Sequence, residues 1–174
     1  MVSSTFAVRK HSTTLTVGTV PAHRIWTKHH HTGTQRIDAE KMLATGNAGQ
    51  RKMAATLLGN LKSSSSYEPL LCALQRKNDD RGTKLAILQA LHNVGERYGY
   101  MVEFSKGLAV LEQFIKSNLK DIRLVQMACQ ALQWAGTTDE ITEATERITA
   151  AAGTRYPQAA SAATSLYVDM INSH

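Results

Sequence analysis

The chain of 174 residues carries 20 Lys and Arg against 14 Asp and Glu, with 43% apolar and 20% charged residues. This suits one ordinary globular domain or a short repeat array and leaves no room for two sizeable domains. No apolar run approaches the ~20 residues that a bilayer-spanning helix needs, which excludes a helical membrane protein. The two cysteines, Cys72 and Cys129, form no CxxC pair, which excludes a disulfide scaffold and a structural zinc module.

The charge is unevenly placed. Residues 1–37 hold Arg9, Lys10, Arg24, Lys28 and Arg36 and no acid, a formal charge of +5, while residues 38–174 sum to +1. Five of the seven histidines, His11, His23, His29, His30 and His31, also fall in the first segment, among many Ser and Thr. Its apolar residues, Phe6, Val8, Leu15, Val17, Val20, Ile25 and Trp26, are scattered, too few to offset the entropy of ordering the segment alone. The expectation is an extended basic arm over 1–37 with a boundary near Gln35 to Asp38. Thr14 to Val17 alternates as a short strand would, without a visible partner strand. An acid-free, Ser/Thr-rich, Arg-bearing start also reads as an organelle transit peptide; no continuous apolar stretch marks a secretory signal.

From Asp38 onward the period is helical. Met53, Ala54, Leu57, Leu58 and Leu61 recur at spacings of three and four, as do Leu85, Ile87, Leu88, Leu91 and Val94, and Leu124, Met127, Ala128, Ala131, Leu132 and Ala135. Between these long helices the spacing predicts Tyr67 to Lys77 with Pro69 in its first turn, Phe104 to Ser117, and Thr138 to Ala152, capped by Thr138 and stopped at Gly153. A last helix follows Pro157 to about Asn172.

The long helices overlay at their ends. Leu57-Leu58-Gly59-Asn60-Leu61, Ala90-Leu91-His92-Asn93-Val94 and Ala131-Leu132-Gln133-Trp134-Ala135 align, with Ser165-Leu166-Tyr167-Val168 as a weaker fourth copy, at offsets of 33, 41 and 34 residues. Such periods indicate a helical solenoid, whose units bury their apolar faces only against neighbours. The run from Gly107 to Leu132, a Gly-led helix, a polar turn and a long helix ending in Ala-Leu, resembles the armadillo/HEAT superfamily. The resemblance implies an all-α, right-handed armadillo/HEAT-like α-solenoid over 38–174 behind the basic N-terminal arm.

In that superfamily long third helices line a concave groove, and an Asn three positions after the Ala of the Ala-Leu pair holds the backbone of an extended peptide. Asn60 and Asn93 match that position, whereas Trp134 and Val168 replace it. The tryptophan that importin-like adaptors carry four residues earlier is Thr56, Gln89 and Gln130 here, so the resemblance stops short of nuclear-signal recognition. Helical spacing independently puts Lys52, Thr56 and Asn60 on one face, as it does Gln89, Asn93 and Arg97, and Gln126, Gln130 and Trp134. These faces are either a partner groove or simply the wet sides of amphipathic helices. A large aromatic such as Trp134 on a polar face favours contact.

Catalysis lacks its parts. The helical region holds only His92 and His174 as histidines, no His-Glu pair offers ligands for the di-iron site of HEAT-repeat hydroxylases, and no carboxylate and aromatic set can be placed around a flipped base. Cys72 and Cys129 read as small core residues, His29 to His31 do not preform a metal site, and the Gly- and Ser-bearing runs Thr45 to Gln50 and Ser63 to Ser66 are turns without a phosphate-cradling pattern.

The expectation is therefore a protein without enzymatic activity, cofactor or metal: a scaffold subunit that contacts other protein subunits and docks an extended peptide segment. Arg9, Lys10, Arg24, Trp26, Lys28 and Arg36 would anchor the arm to RNA or an acidic cytoskeletal polymer. The alternative is an RNA-binding factor of an organelle ribonucleoprotein. The first reading implies a cytoplasmic, cytoskeleton-associated protein with no membrane contact, the second a mitochondrial or plastid one.

Overall fold

The computed structural model describes residues 23–61, 63–99 and 105–172. Among the described residues there are eight α-helices and no strand: α1 (His23–Thr45), α2 (Ala48–Asn60), α3 (Tyr67–Leu74), α4 (Arg81–Tyr98), α5 (Ser105–Ser117), α6 (Ile122–Leu132), α7 (Thr138–Ala152) and α8 (Pro157–Asn172), with a 3-10 turn at Ser64–Ser66. Consecutive helices pack as pairs, α1 on α2 through α7 on α8. The even helices stack on one another in chain order, and so do the odd ones. The result is two helical layers built from two-helix units, a packing consistent with a helical repeat.

The leucines of the four overlaid segments fall at corresponding places in α2, α4, α6 and α8. Leu58, Leu91 and Leu132 are fully buried and Leu166 nearly so. Asn47, Asp80 and Asp121 each stand eleven residues ahead of the first three leucines and cap the helix that carries them. The N–H groups of Gln50, Thr83 and Leu124 donate to their side chains at 2.9, 3.0 and 3.2 Å. One short polar residue thus fixes where each of these helices begins, and one leucine fixes which side it buries.

Small residues set how closely the even helices approach. A Cβ added to Gly59 of α2 would lie 2.7 Å from the Ala90 Cα of α4, and one on Gly95 would lie 2.6 Å from the Trp134 Cβ. In the odd layer, the Tyr67 hydroxyl covers Gly107 so closely that an added Cβ would stand 2.2 Å from it.

Two cross-unit ion pairs tie the starts of the even helices together. Arg51 in α2 reaches Asp79 just before α4, Nη2 to Oδ1 at 2.6 Å. Arg81 of α4 reaches the α6 cap Asp121 with Nη2 to Oδ1 at 2.9 Å and Nε to Oδ2 at 2.5 Å. At the start of α8 the position equivalent to those caps is Arg155, whose guanidinium stands 5.5 Å from the Tyr156 ring centre.

Several expectations are corrected. Residues 23–37, expected as extended arm, are helical, and α1 runs unbroken through Gln35 to Asp38. Ala39 and Leu43, one turn apart, are buried against the core. No proline interrupts residues 22–45, so the helix propagates from that packed turn at one backbone hydrogen bond per added residue. Residues 1–22, with the Thr14 to Val17 alternation, lie outside the described residues. On α2 the buried stripe is Ala54, Ala55, Leu58 and Gly59, while Met53 and Leu57 are 52% and 46% exposed. Leu57 holds the position from which Ala90 reaches back to the preceding even helix, and α2 has none before it. The cap of α7 is Thr137, one residue earlier than expected, in a reciprocal pair with Glu140. Gly153 closes α7 with φ of 49°, a conformation that favours glycine.

Two measurements check this packing. Gly59→Val should lower unfolding stability by about 1–3 kcal/mol through overpacking against α4. Gly33→Ala in α1, where an added Cβ meets nothing within 4 Å, should raise it by about 0.5–1 kcal/mol; urea titrations of both variants read the contrast. The second check is pH. Hydrogen bonding from Arg81 first, then from the Leu124 N–H, holds the Asp121 carboxyl at about 2, below the ordinary ~3.9. A depressed folded value stabilises the fold above the unfolded value and is lost as pH falls from about 4 toward 2. Asp121→Asn, which can still cap α6, should flatten that part of the stability-versus-pH curve.

Candidate partner-binding face

The sequence places three polar triplets on α2, α4 and α6, and the structure puts those helices side by side in one layer. Lys52, Thr56 and Asn60 are exposed on α2; Thr56 Oγ1 donates to the Lys52 carbonyl at 3.1 Å. On α4, Gln89 and Arg97 are exposed and Asn93 is half-buried, with Gln89 Nε2 donating to Asn93 Oδ1 at 2.9 Å. Gln126 and Gln130 are exposed on α6.

Trp134 sits differently. It follows the end of α6, is half-buried, and packs on Gly95 and Gly99 at the end of α4. His92 Nδ1 lies 3.3 Å from the indole Nε1 and 3.0 Å from the Gln130 carbonyl. That nitrogen either accepts from the indole N–H or donates to the carbonyl, so the tautomer decides which bond forms. The ring therefore serves the α4–α6 seam.

A groove opens between α6 and α8. One cavity of about 420 Å³ lies over Arg123, Gln130 and Gln133, and an adjoining one of about 570 Å³ lies over Gln158 and Ser161; Gln126 and Ser165 line both. No ion pair joins α6 to α8 among the described residues; Arg155, eleven residues ahead of Leu166, lies over the Tyr156 ring instead. Among the described residues no carboxylate lines either cavity. The amides of Gln126, Gln130 and Gln133 bond to no other described residue, leaving one acceptor and two donors on each for a ligand. Sequence reading did not select Arg123, Gln133, Gln158, Ser161 and Ser165. Their signal was present, because 123, 126 and 130 on α6 with 133 just after it, and 158, 161 and 165 on α8, are polar at helical spacing.

Charge is sorted by layer. In α2, α4 and α6 the basic side chains are Arg51, Lys52, Arg81, Lys84, His92, Arg97 and Arg123, against one carboxylate, Glu96. Arg51 and Arg81 are paired at the helix starts, and Lys52, Lys84, Arg97 and Arg123 form no ion pair among the described residues; the odd layer carries its pairs along α5 and α7. Glu112 holds Lys116 at 2.6 Å and Arg147 at 2.9 Å, and Lys106 meets Glu68 at 3.4 Å. Arg147 first, then Lys116, holds the Glu112 carboxyl below its ordinary range.

Of the residues expected to anchor the arm, Arg9 and Lys10 lie outside the described residues, and Arg24, Trp26, Lys28 and Arg36 fall in α1. The Arg36 guanidinium pairs with Glu40 one turn on. Cys129 is buried and its thiol is pushed up to about 12. Cys72, expected in the core, is exposed, because α3 turns Leu70, Leu71, Ala73 and Leu74 inward and leaves Cys72 outside. Among the described residues no three His, Cys, Asp or Glu side chains converge to hold a metal, and no helix is long and apolar enough to cross a membrane.

Trp134→Ala should cost about 2–4 kcal/mol of folding stability, whereas Gln126→Ala should stay within about 0.5 kcal/mol; urea unfolding of the two variants separates seam from open surface. No protein-family model, no curated protein and no solved structure matches the chain.

Proposed function

We propose that the chain is a non-enzymatic scaffold subunit of a larger assembly, an armadillo/HEAT-like α-solenoid that docks an extended partner segment on its even-helix layer. The supporting observation is the α6–α8 groove, where Gln126, Gln130 and Gln133 offer uncommitted amides in a setting without carboxylates. An extended chain carries unpaired backbone N–H and C=O groups whatever its sequence, and side-chain amides pair with both. Asn60, Gln89 and Asn93 continue that polar surface across α4 to α2. The basic residues of 1–37 add a second contact to a polyanionic surface, RNA or an acidic cytoskeletal polymer, whose strength falls with salt.

The test is quantitative affinity capture from native extract with mass spectrometry, comparing the full chain with Gln126→Ala/Gln130→Ala. The substituted chain should fold normally and lose most of its protein partners. Recovery of the same partners at the same level would overturn the groove. Salt-sensitive RNA binding that survives these substitutions and disappears without residues 1–22 would favour the RNA-binding alternative.

A further inference from the structure

A second cleft lies away from that groove and follows from a mismatch of helix lengths. Helix α3 ends at Leu74, whereas its neighbour α5 runs on to Ser117, so the later turns of α5 have no odd-layer helix before them. The space left is a cavity of about 650 Å³. Its apolar floor comes from Leu74, Val110 and Phe114, and Arg76, Lys77 and Lys84 stand around it.

The charge here is one-sided. Among the described residues no carboxylate lines the cleft, and the acids close to it in sequence are committed elsewhere, Glu112 to Lys116 and Arg147. Asp79 pairs with Arg51, Asp121 with Arg81, and Asp80 accepts from the Thr83 N–H and hydroxyl at the start of α4. Arg76 is held in place by Nη1 donating to the Leu43 carbonyl at 3.1 Å. Neither Lys77 nor Lys84 forms an ion pair among the described residues. Three cations without counter-charge around an apolar floor select a ligand that brings both carboxylates and an apolar group.

We propose that this cleft docks an acidic linear segment of a partner protein, one large apolar side chain seated on Val110 and Phe114 between carboxylates that meet Arg76, Lys77 and Lys84. A nucleic acid would satisfy the cations and leave the floor empty, so the apolar lining favours the peptide. The site shares no residue with the α6–α8 groove, and either can fail without the other.

The probe is a phage-displayed library of random dodecapeptides selected on the immobilised full chain, with the winning sequence measured by fluorescence anisotropy. Enriched peptides should carry a large apolar residue flanked by Asp or Glu. Exchanging that residue for Ser, or using Lys77→Glu/Lys84→Glu protein, should weaken binding about tenfold or more. Ala109→Trp, an exposed position on the cleft wall, should block binding with the charges intact, and Arg155→Glu should leave it unchanged. Thermal melts of each variant show that the fold is kept, with exposed Lys77→Ser as the milder replacement should the double variant unfold. The proposal is overturned if no peptide is enriched, if the enriched peptides lack acids, if they bind the double variant equally, or if a uridine decamer displaces them from the cleft while binding through the same lysines.

Discussion

The close approach of the even helices is the constraint on which the other features rest. At Gly59 against Ala90, and at Gly95 against Trp134, there is no space for another carbon atom. The short distance lets Leu58, Leu91 and Leu132 be sealed completely, each at the same distance from the start of its helix. It also brings Arg51 and Arg81 within reach of the acids that begin the next even helix. Close packing of small side chains and the ion pairs at the helix starts thus belong to one geometry. Most polar groups lie at its edges, but the pair at the start of α4 is itself largely buried, and Arg51 Nε and Asp79 Oδ2 have no hydrogen-bond partner among the described residues.

That geometry is relaxed at the last seam. Arg155 stands where the spacing from Leu166 matches the caps of the earlier even helices, and the cation turns to Tyr156 instead of bridging units. Without the tie, space remains between α6 and α8, lined by the amides of α6. The other large cleft arises from a different defect in the repeat, a short α3 beside a longer α5. In a stacked array a site costs least where two units differ, because elsewhere each face is already occupied by its neighbour.

Much of this was legible in the sequence because burial in a stacked array repeats. The periodic leucines gave the helices from α2 to α8 with ends correct to a few residues, and the overlay named the leucines that the structure buries. Two things were hidden. The first half of α1 lacks an apolar stripe of its own, and its helix grows from the packed Ala39 and Leu43, a tertiary effect that local composition does not reveal. The face of α2 was also misjudged. Met53 and Leu57 fit the helical period as well as Ala54 and Leu58 do, and only the contact at Gly59 decides between them. The amide surface was half legible. Gln126 and Gln130 were marked by spacing, while their partners on α8 needed the knowledge that α6 and α8 are neighbours. Trp134 was visible as an anchor, but not that its anchorage is internal.

The division of charge gives the two layers different chemistry. Where α5 meets α7, Glu112, Arg147 and Lys116 satisfy one another, so a partner arriving at that face must break pairs that already exist. In the even layer, away from the paired Arg51 and Arg81 and the bonded Gln89 and Asn93, Arg123 and the amides of Gln126, Gln130 and Gln133 bond to no other described residue, so a partner arriving there displaces water rather than existing bonds. An amide is also cheaper to desolvate than a charge and pairs with either end of a peptide group. A surface of amides with a few cations therefore suits an extended chain whose backbone supplies most of the contacts, with acidic side chains favoured where a free cation such as Arg123 stands near. The 650 Å³ cleft follows the opposite rule, since its cations are clustered and its floor is apolar. Its selectivity would come from side chains, so the two proposed sites would read different properties of a partner, backbone on one layer and side-chain charge on the other.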